Sequence, residues 1–275
     1  AALPADRFPS QEEVPEILFD GSAPWTNGDG ATFTQRLDIQ VDGHSGVPAI
    51  ANTDGATWFM ESAALVAGGS GIFLNGGRLV ANGENSASAS VLELFYQGDS
   101  KGRIVVEEGT LSLRGGGSID GSGFPAIELT SPTSTLRLGG REGAATVTYR
   151  LLAGTHTFSA IGTGGTVAVD DNAVLELTAD AVVENELVDT ADGDAFQLNG
   201  TGEIALGASF RNSGDFVWFG GKISTVGRFD FAPGNLEGNF APKLVNEGNF
   251  AISGTQLNTL AGLLLNTIGP RSTGH

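Results

Sequence analysis

The feature that most constrains this chain is a short pattern in which two apolar residues flank one residue of another kind. Glycine, asparagine and aspartate turns separate the copies. Apolar residues at every second position give a strand one dry face, because side chains alternate across a strand. The copies occupy residues 92–94, 104–106, 111–113, 127–129, 136–138, 167–169, 175–177, 204–206 and 229–231.

The clearest copies lie in two adjacent segments, residues 103–107 and 110–114, on either side of Gly109. Helical periodicity is nearly absent up to the C-terminus, which favours short strands throughout. Triplets spaced irregularly around glycine corners are more typical of solenoid coils than of hairpins. We therefore predict an all-β fold, a parallel β-helix (β-solenoid) forming a single elongated domain. A repeat of about 20–25 residues would give about ten coils.

The triplets also predict a core. Their apolar members should be buried, and the residues between them should point to solvent. The expected buried set is Ile104, Val106, Leu111, Leu113, Leu136, Leu138, Val167, Val169, Leu175 and Leu177. The expected exposed set is Glu93, Ser112, Arg137 and Glu176.

The chain divides into three expected regions. Residues 1–30 contain four prolines up to Pro24 and are expected to form an extended arm or cap. In this arm, Ile17–Phe19 is expected either to pair as an edge strand or to cover the first turn of the solenoid. The solenoid is expected over residues 31–265, starting with a strand at 31–41 that points Leu37, Ile39 and Val41 inward. Residues 266–275 are expected to be a tail, partly vector-derived, and the whole to belong to a longer chain.

Composition excludes several classes of function. The chain has 275 residues with 42 glycines, no cysteine and a formal charge of −18. Without cysteine it has no disulfides, zinc thiolates or thiol nucleophiles. The acidic charge argues against nucleic acid and anionic membranes as partners. No segment approaches the roughly 20 apolar residues of a membrane-spanning helix, so no membrane insertion is expected.

The C-terminal third carries a second pattern, apolar-x-Asn-x-Gly-x-Phe, at residues 210–216 and 244–250. Asn212 and Gly214 are expected to form a left-handed corner, with Phe216 at the following inward position.

Three segments together resemble the passenger repeats of bacterial surface adhesins, of the autotransporter and filamentous-haemagglutinin types. They are Gly-Gly-Thr-Val-Ala-Val at 164–169, Gly-Thr-Leu-Ser-Leu-Arg-Gly-Gly at 109–116 and Leu-Val-Asn-Glu-Gly-Asn-Phe at 244–250. The resemblance covers residues 71–265, although the Asn-Pro-Asn-Leu secretion signature of haemagglutinin-like proteins is missing. It implies a right-handed parallel β-helix at the cell surface or outside the cell, with a role in adhesion or as a stalk. A glycan or a cell-surface protein would be the partner.

Calcium is the cofactor that the sequence could accommodate. Asp189, Asp192 and Asp194 gather carboxylates around a glycine turn and are the best candidate metal ligands. Residues 170–172 and 27–30 are weaker candidates of the same kind. The alternative is that these acidic and amide residues simply form turns.

An enzyme is the main alternative to an adhesive or structural module. The outward residues Glu93, Glu128, Arg137 and Glu176, with nearby arginines at 103, 114, 141 and 150, could form the acid–base groups of a polysaccharide lyase or hydrolase. Cross-strand ion pairs on a solvated face are the simpler interpretation. No catalytic residue is therefore assigned, and a non-catalytic role is expected.

Histidines and aromatic residues add little to this choice. His44 is expected in a solvated turn, and His156 as an inward residue with satisfied hydrogen bonds. Residues 58–60 and 216–219 are apolar on both faces, so one face of each could be a sugar-stacking platform or a partner interface. We expect instead that the N-terminal arm or a neighbouring loop covers it.

Overall fold

The computed structural model describes residues 17–19, 24–41, 46–61, 63–68, 71–83, 88–122, 126–141, 143–158, 165–178, 181–187, 195–208, 210–225, 243–246, 249–252, 258–261 and 263–266. Strands and turns account for the regular structure of these residues, and no helix occurs among them. The predicted all-β class is confirmed.

The strands follow one another at short intervals. The first fifteen are β1 (Ile17–Phe19), β2 (Trp25–Asn27), β3 (Thr32–Gln35), β4 (Ile39–Val41), β5 (Pro48–Asn52), β6 (Thr57–Glu61), β7 (Leu65–Gly68), β8 (Ile72–Asn75), β9 (Arg78–Asn82), β10 (Ala89–Leu92), β11 (Phe95–Gly98), β12 (Arg103–Glu108), β13 (Thr110–Leu113), β14 (Gly117–Gly121) and β15 (Ile127–Leu129). The rest are β16 (Thr135–Leu138), β17 (Val147–Phe158), β18 (Thr166–Val169), β19 (Ala173–Leu177), β20 (Ala181–Asn185), β21 (Phe196–Leu198), β22 (Glu203–Leu206), β23 (Phe210–Asn212), β24 (Asp215–Trp218), β25 (Gly221–Thr225), β26 (Lys243–Asn246), β27 (Asn249–Ile252), β28 (Asn258–Ala261) and β29 (Leu263–Asn266).

The strands stack into a parallel β-solenoid with three sides. Sheet A has ten strands, in the order β1-β4-β7-β10-β13-β16-β18-β21-β24-β27. Sheet B follows the order β2-β5-β8-β11-β14-β17-β19-β22-β25-β28, and sheet C the order β15-β12-β9-β6-β3. Neighbours within a sheet pair in parallel, as in Leu111↔Leu136 and Leu136↔Val167. The chain therefore passes sheet A once per coil before it turns onto sheet B.

The third side changes halfway along the molecule. Strand β17 runs on through the corner: Val147–Leu151 pairs with β19, and Gly154–Phe158 pairs with β20. The third-side strands β20, β23, β26 and β29 thus join the 14-stranded sheet B, while sheet C ends at β15. Gly154 has φ 98°. Its conformation lets β17 change direction without a break, because other residues rarely adopt positive φ.

The predicted core is confirmed in register. All ten apolar residues expected inside are at most 1 % exposed, and Arg137 is exposed while Glu93 and Glu176 are half-buried. Ser112 was expected in solvent and is 6 % exposed, so that part of the prediction is wrong. It lies between Val91 and Arg137 in the outward row and lines a cleft whose other residues include Arg114 and Arg137.

Two further expectations need correction. Residues 31–41 were predicted as one strand, but they form β3 and β4 on two sheets, with a corner at Leu37, which is 38 % exposed. Strand Ile17–Phe19 pairs with Ile39–Val41 at the edge of sheet A, as predicted.

The second expectation that needs correction is the left-handed corner at Asn212 and Gly214. Asn212 is fully buried, its amide lies inside the solenoid, and neither Asn212 nor Gly214 has positive φ. The Asn212 Oδ1 accepts a hydrogen bond of 2.6 Å from the Asn185 Nδ2, because both amides occupy the same position in successive coils. Phe216 points inward as predicted.

A longer asparagine ladder lies at the corner between sheets B and C. Asn27 Nδ2 donates to Asn52 Oδ1 at 2.9 Å, and Asn52 Nδ2 donates to Asn75 Oδ1 at 2.8 Å. Asn75 Nδ2 then donates to the Tyr96 hydroxyl at 2.8 Å. Each amide also donates to a backbone carbonyl of the next coil, as Asn52 does to Arg78 at 3.0 Å. The ladder satisfies polar groups that would otherwise be buried without partners.

Candidate functional site

The three aspartates predicted as calcium ligands, Asp189, Asp192 and Asp194, lie outside the described residues, and so does His44. The calcium site stays a prediction. Among the residues that the structure does describe, no cluster of three or more His, Asp or Glu side chains could hold a metal ion.

The weaker calcium candidates have structural partners. Asp170 accepts hydrogen bonds from Arg137 at 3.1 Å and from the Asn199 amide at 2.8 Å. Asp171 Oδ1 accepts the backbone N–H of Thr201 at 2.7 Å. In the other segment, Asn27 belongs to the buried ladder. These contacts fit the alternative that the acidic and amide residues shape turns.

His156 points inward, as the sequence predicts, and is 2 % exposed. Its Nε2 lies 3.0 Å from the carbonyl oxygen of Leu152, whereas its Nδ1 has no hydrogen-bond partner. The expectation of a fully satisfied histidine is therefore only half right. Burial lowers the pKa of His156, and the nearby Leu152 carbonyl and Asp120 oppose that effect.

Five of the eight charged residues considered for acid–base chemistry hold ion pairs across coils. Arg141 lies 3.2 Å from Glu93, Arg137 lies 3.1 Å from Asp170, and Arg150 lies 3.0 Å from Glu176. The simpler interpretation of these residues, ion pairs on a solvated face, is confirmed for these three arginines.

Arg141 does more than pair with a carboxylate. One terminal nitrogen of its guanidinium donates to the carbonyl oxygens of Gly68 at 2.7 Å and of Glu93 at 3.1 Å. A single side chain from the corner after β16 thereby fastens two earlier coils.

Two clefts meet at the corner between sheets A and B, and we call them together the corner groove. The first has a volume of about 430 Å³ and an apolar wall of Ile72, Phe95, Ala144 and Val147. Ile72, Phe95 and Val147 are the first residues of β8, β11 and β17, so register brings them to the same corner. The second cleft, of about 450 Å³, is polar and includes Arg137 and Asp170.

Arg114 lines both clefts. It follows β13 directly and is exposed. The described residues between 24 and 225 include ten Lys and Arg side chains. Eight of them have partners, whereas Arg114 and Arg78 have neither an ion pair nor a side-chain hydrogen bond within the described residues. Arg78 lies in a separate cleft of about 450 Å³ at the corner between sheets B and C.

The sequence identified Arg114 but missed the apolar wall. One signal was present: Ile72 and Phe95 each stand directly before an inward aromatic residue, Phe73 or Tyr96, and so break the alternation. The sequence does not show that these two outward residues lie beside each other and beside Val147. That neighbourhood depends on register between coils.

Other shifted pKa values belong to the core or to exposed pairs. Burial raises the pKa of Tyr96 and Tyr149, whose hydroxyls bond to Asn75 and to the Gly139 carbonyl oxygen. The hydrogen bond from Arg36 lowers the pKa of the exposed Glu61 carboxyl. These causes are structural and do not mark an acid or a base prepared for catalysis.

Comparison with known proteins gives no relative. No protein-family model, no curated protein and no solved structure matches the chain. The parallel β-solenoid is thus established by the structure itself, and function must be argued from the surface of the coils. In the described part of the chain, no helix is long and apolar enough to span a membrane.

Proposed function

We propose that this chain is a non-catalytic β-solenoid module of a secreted bacterial surface protein, which serves as a stalk and binds a glycan or another cell-surface molecule. The observation that carries this proposal is the pairing of the outer charged residues. Three of the four outward candidates, Glu93, Arg137 and Glu176, would have to be available for an acid–base mechanism but hold ion pairs. Arg137 and Glu176 pair with residues of the adjacent coil, and Glu93 pairs with Arg141 two coils away.

The architecture supports the same role. Each coil stacks on the one before it through parallel pairing, and such stacking builds a body in which each repeat contacts only its neighbours. Apolar residues and asparagine ladders fill the interior, so binding would take place on the outer surface. The glycine-rich, cysteine-free composition and the adhesin-like repeats support a place outside the cell.

The test is to incubate the protein with acidic polysaccharides, polygalacturonate and alginate among them, with and without calcium. New reducing ends and bound protein would both be measured. We expect binding without cleavage. Cleavage that disappears in Arg137→Ala would contradict the proposal and favour the polysaccharide-active enzyme instead.

A further inference from the structure

We propose that the corner groove binds a carboxylated sugar, with Arg114 as the residue that recognises the carboxylate. This inference rests on the proposed function and names the chemical class of its ligand. The groove is the place where an unpaired arginine and an apolar wall lie side by side.

Arg114 is the cation of the proposed site. In a chain with 32 acidic and 14 basic residues, a lysine or arginine without a carboxylate partner is unexpected. Arg114 is such a residue, although Glu93 lines the same cleft. Glu93 pairs with Arg141, and on the other side Asp170 pairs with Arg137. The guanidinium of Arg114 therefore keeps its donors available for an incoming anion, and a planar guanidinium fits a carboxylate with two parallel hydrogen bonds.

The charge around the groove is compatible with an anionic ligand. Residues 71–150 contain seven of the 14 basic residues but only eight of the 32 acidic ones. The other 195 residues hold seven basic and 24 acidic residues. The groove itself is likewise close to neutral, whereas the acidic remainder of the chain would repel a negatively charged ligand. Its charged lining consists of Arg114, Arg137, Arg141, Glu93, Asp170 and Asp171.

The apolar wall of the groove suits the face of a sugar ring. Phe95, Ile72 and Val147 are half-buried, so each still presents part of its side chain to the cleft. A pyranose ring has a flat face of C–H groups that can lie on such a wall. Its carboxylate would then extend toward Arg114. Binding sites of this kind combine an apolar lining with a small number of polar groups that fix the orientation of the ligand.

The carboxylates of an extended acidic peptide could also pair with Arg114, but the peptide would pack less well against the apolar wall. Its carboxylates project from flexible side chains, and it has no rigid face to place against Phe95. The geometry therefore favours the sugar, and an oligopeptide becomes the discriminating control.

The experiment is calorimetric titration of the full chain with tetragalacturonate, its methyl ester and tetraglutamate. We expect tetragalacturonate to bind and the other two to bind at least about tenfold more weakly, the order of magnitude of one hydrogen-bonded charge contact. Arg114→Ala should weaken tetragalacturonate binding by a similar factor, and Arg114→Lys by less, because lysine keeps the charge and loses the paired geometry.

Arg78→Ala is the matched control. Arg78 is also exposed and unpaired within the described residues, but it lies at the other corner. It should leave tetragalacturonate binding unchanged. Equal losses in Arg78→Ala and Arg114→Ala, equal binding of tetraglutamate, or no binding of tetragalacturonate would each overturn the inference. All of these results differ from cleavage of the polysaccharide, which is the result that would overturn the proposed function.

Discussion

Buried asparagine side chains stabilise the corners of this fold by bonding to one another from coil to coil. The Asn27–Asn52–Asn75 ladder repeats one hydrogen-bond arrangement in three coils and ends on the Tyr96 hydroxyl. An asparagine inside a solenoid is tolerated because every amide finds both a side-chain partner and a backbone carbonyl. Removing one member leaves buried donors or acceptors without partners.

Asn52→Ala should therefore destabilise the protein by about 2–4 kcal/mol, the sum expected for lost buried hydrogen bonds and a small cavity. Asn52 donates to Asn75 and Arg78 and accepts from Asn27, so three contacts disappear at once. Chemical denaturation would measure the effect. The control Gln97→Ala, on the exposed face, should change stability by no more than about 0.5 kcal/mol. Equal effects of the two variants would mean that the ladder contributes nothing.

The lowered pKa of His156 predicts that the stability of the folded chain depends on pH. Its pKa is lowered in the folded chain, so the folded state resists the proton that the unfolded state accepts below about pH 6.5. The unfolded state then binds more protons, and stability falls as the pH drops through this range.

The test compares the wild type with His156→Gln, in which an amide can still donate a hydrogen bond to the Leu152 carbonyl. Denaturation midpoints would be measured from about pH 7.5 to about pH 5.5. The wild type should lose more stability on acidification than the variant. Parallel curves for the two proteins would show that His156 is not the responsible group.

At the scale of the strand, the sequence predicted what period-two patterning can specify. The triplets at 136–138, 167–169 and 175–177 each became part of a strand with its apolar residues inside. What it could not specify was where a strand ends at a corner. Residues 31–41 look like one strand but occupy two sheets, whereas β17 passes a corner at Gly154 as one continuous strand.

The site was less predictable than the strands, for a physical reason. Arg114 and the arginines around it could be named from the sequence, but their pairing depends on contacts such as Arg141 to Gly68, 73 residues apart in the chain. Likewise, the sequence placed Asn27 in a turn and gave no sign of the ladder that joins it to Asn52 and Asn75, because the ladder appears only once the coils are in register.

Adjacent residues of one triplet give a direct test of register. Leu175 is fully buried in β19, while the next side chain, Glu176, pairs with Arg150 on the outside. Leu175→Ala should cost about 2–5 kcal/mol, as expected for a deep core truncation. Glu176→Ala should cost less than about 1 kcal/mol, because an exposed ion pair contributes little. A larger loss for Glu176→Ala, measured by chemical denaturation, would place the register one residue out of step.

At the scale of the whole molecule, a parallel β-solenoid requires that the distance between aligned residues of one sheet grow steadily with the number of coils between them. Parallel strands in one sheet lie roughly 4.8 Å apart. In sheet B, Thr26 aligns with Gln97 three strands later and with Arg150 five strands later, through the register of successive pairs. All three side chains are exposed and point outward.

Pulsed electron paramagnetic resonance between two spin labels tests this requirement most directly, and the absence of native cysteine makes the labelling selective. One protein would carry labels at Thr26→Cys and Gln97→Cys, and a second at Thr26→Cys and Arg150→Cys. We predict backbone separations of about 14 Å and about 24 Å, so that each coil adds the same increment. Two similar distances, or a shorter distance for the pair that is further apart in sequence, would contradict the parallel β-solenoid.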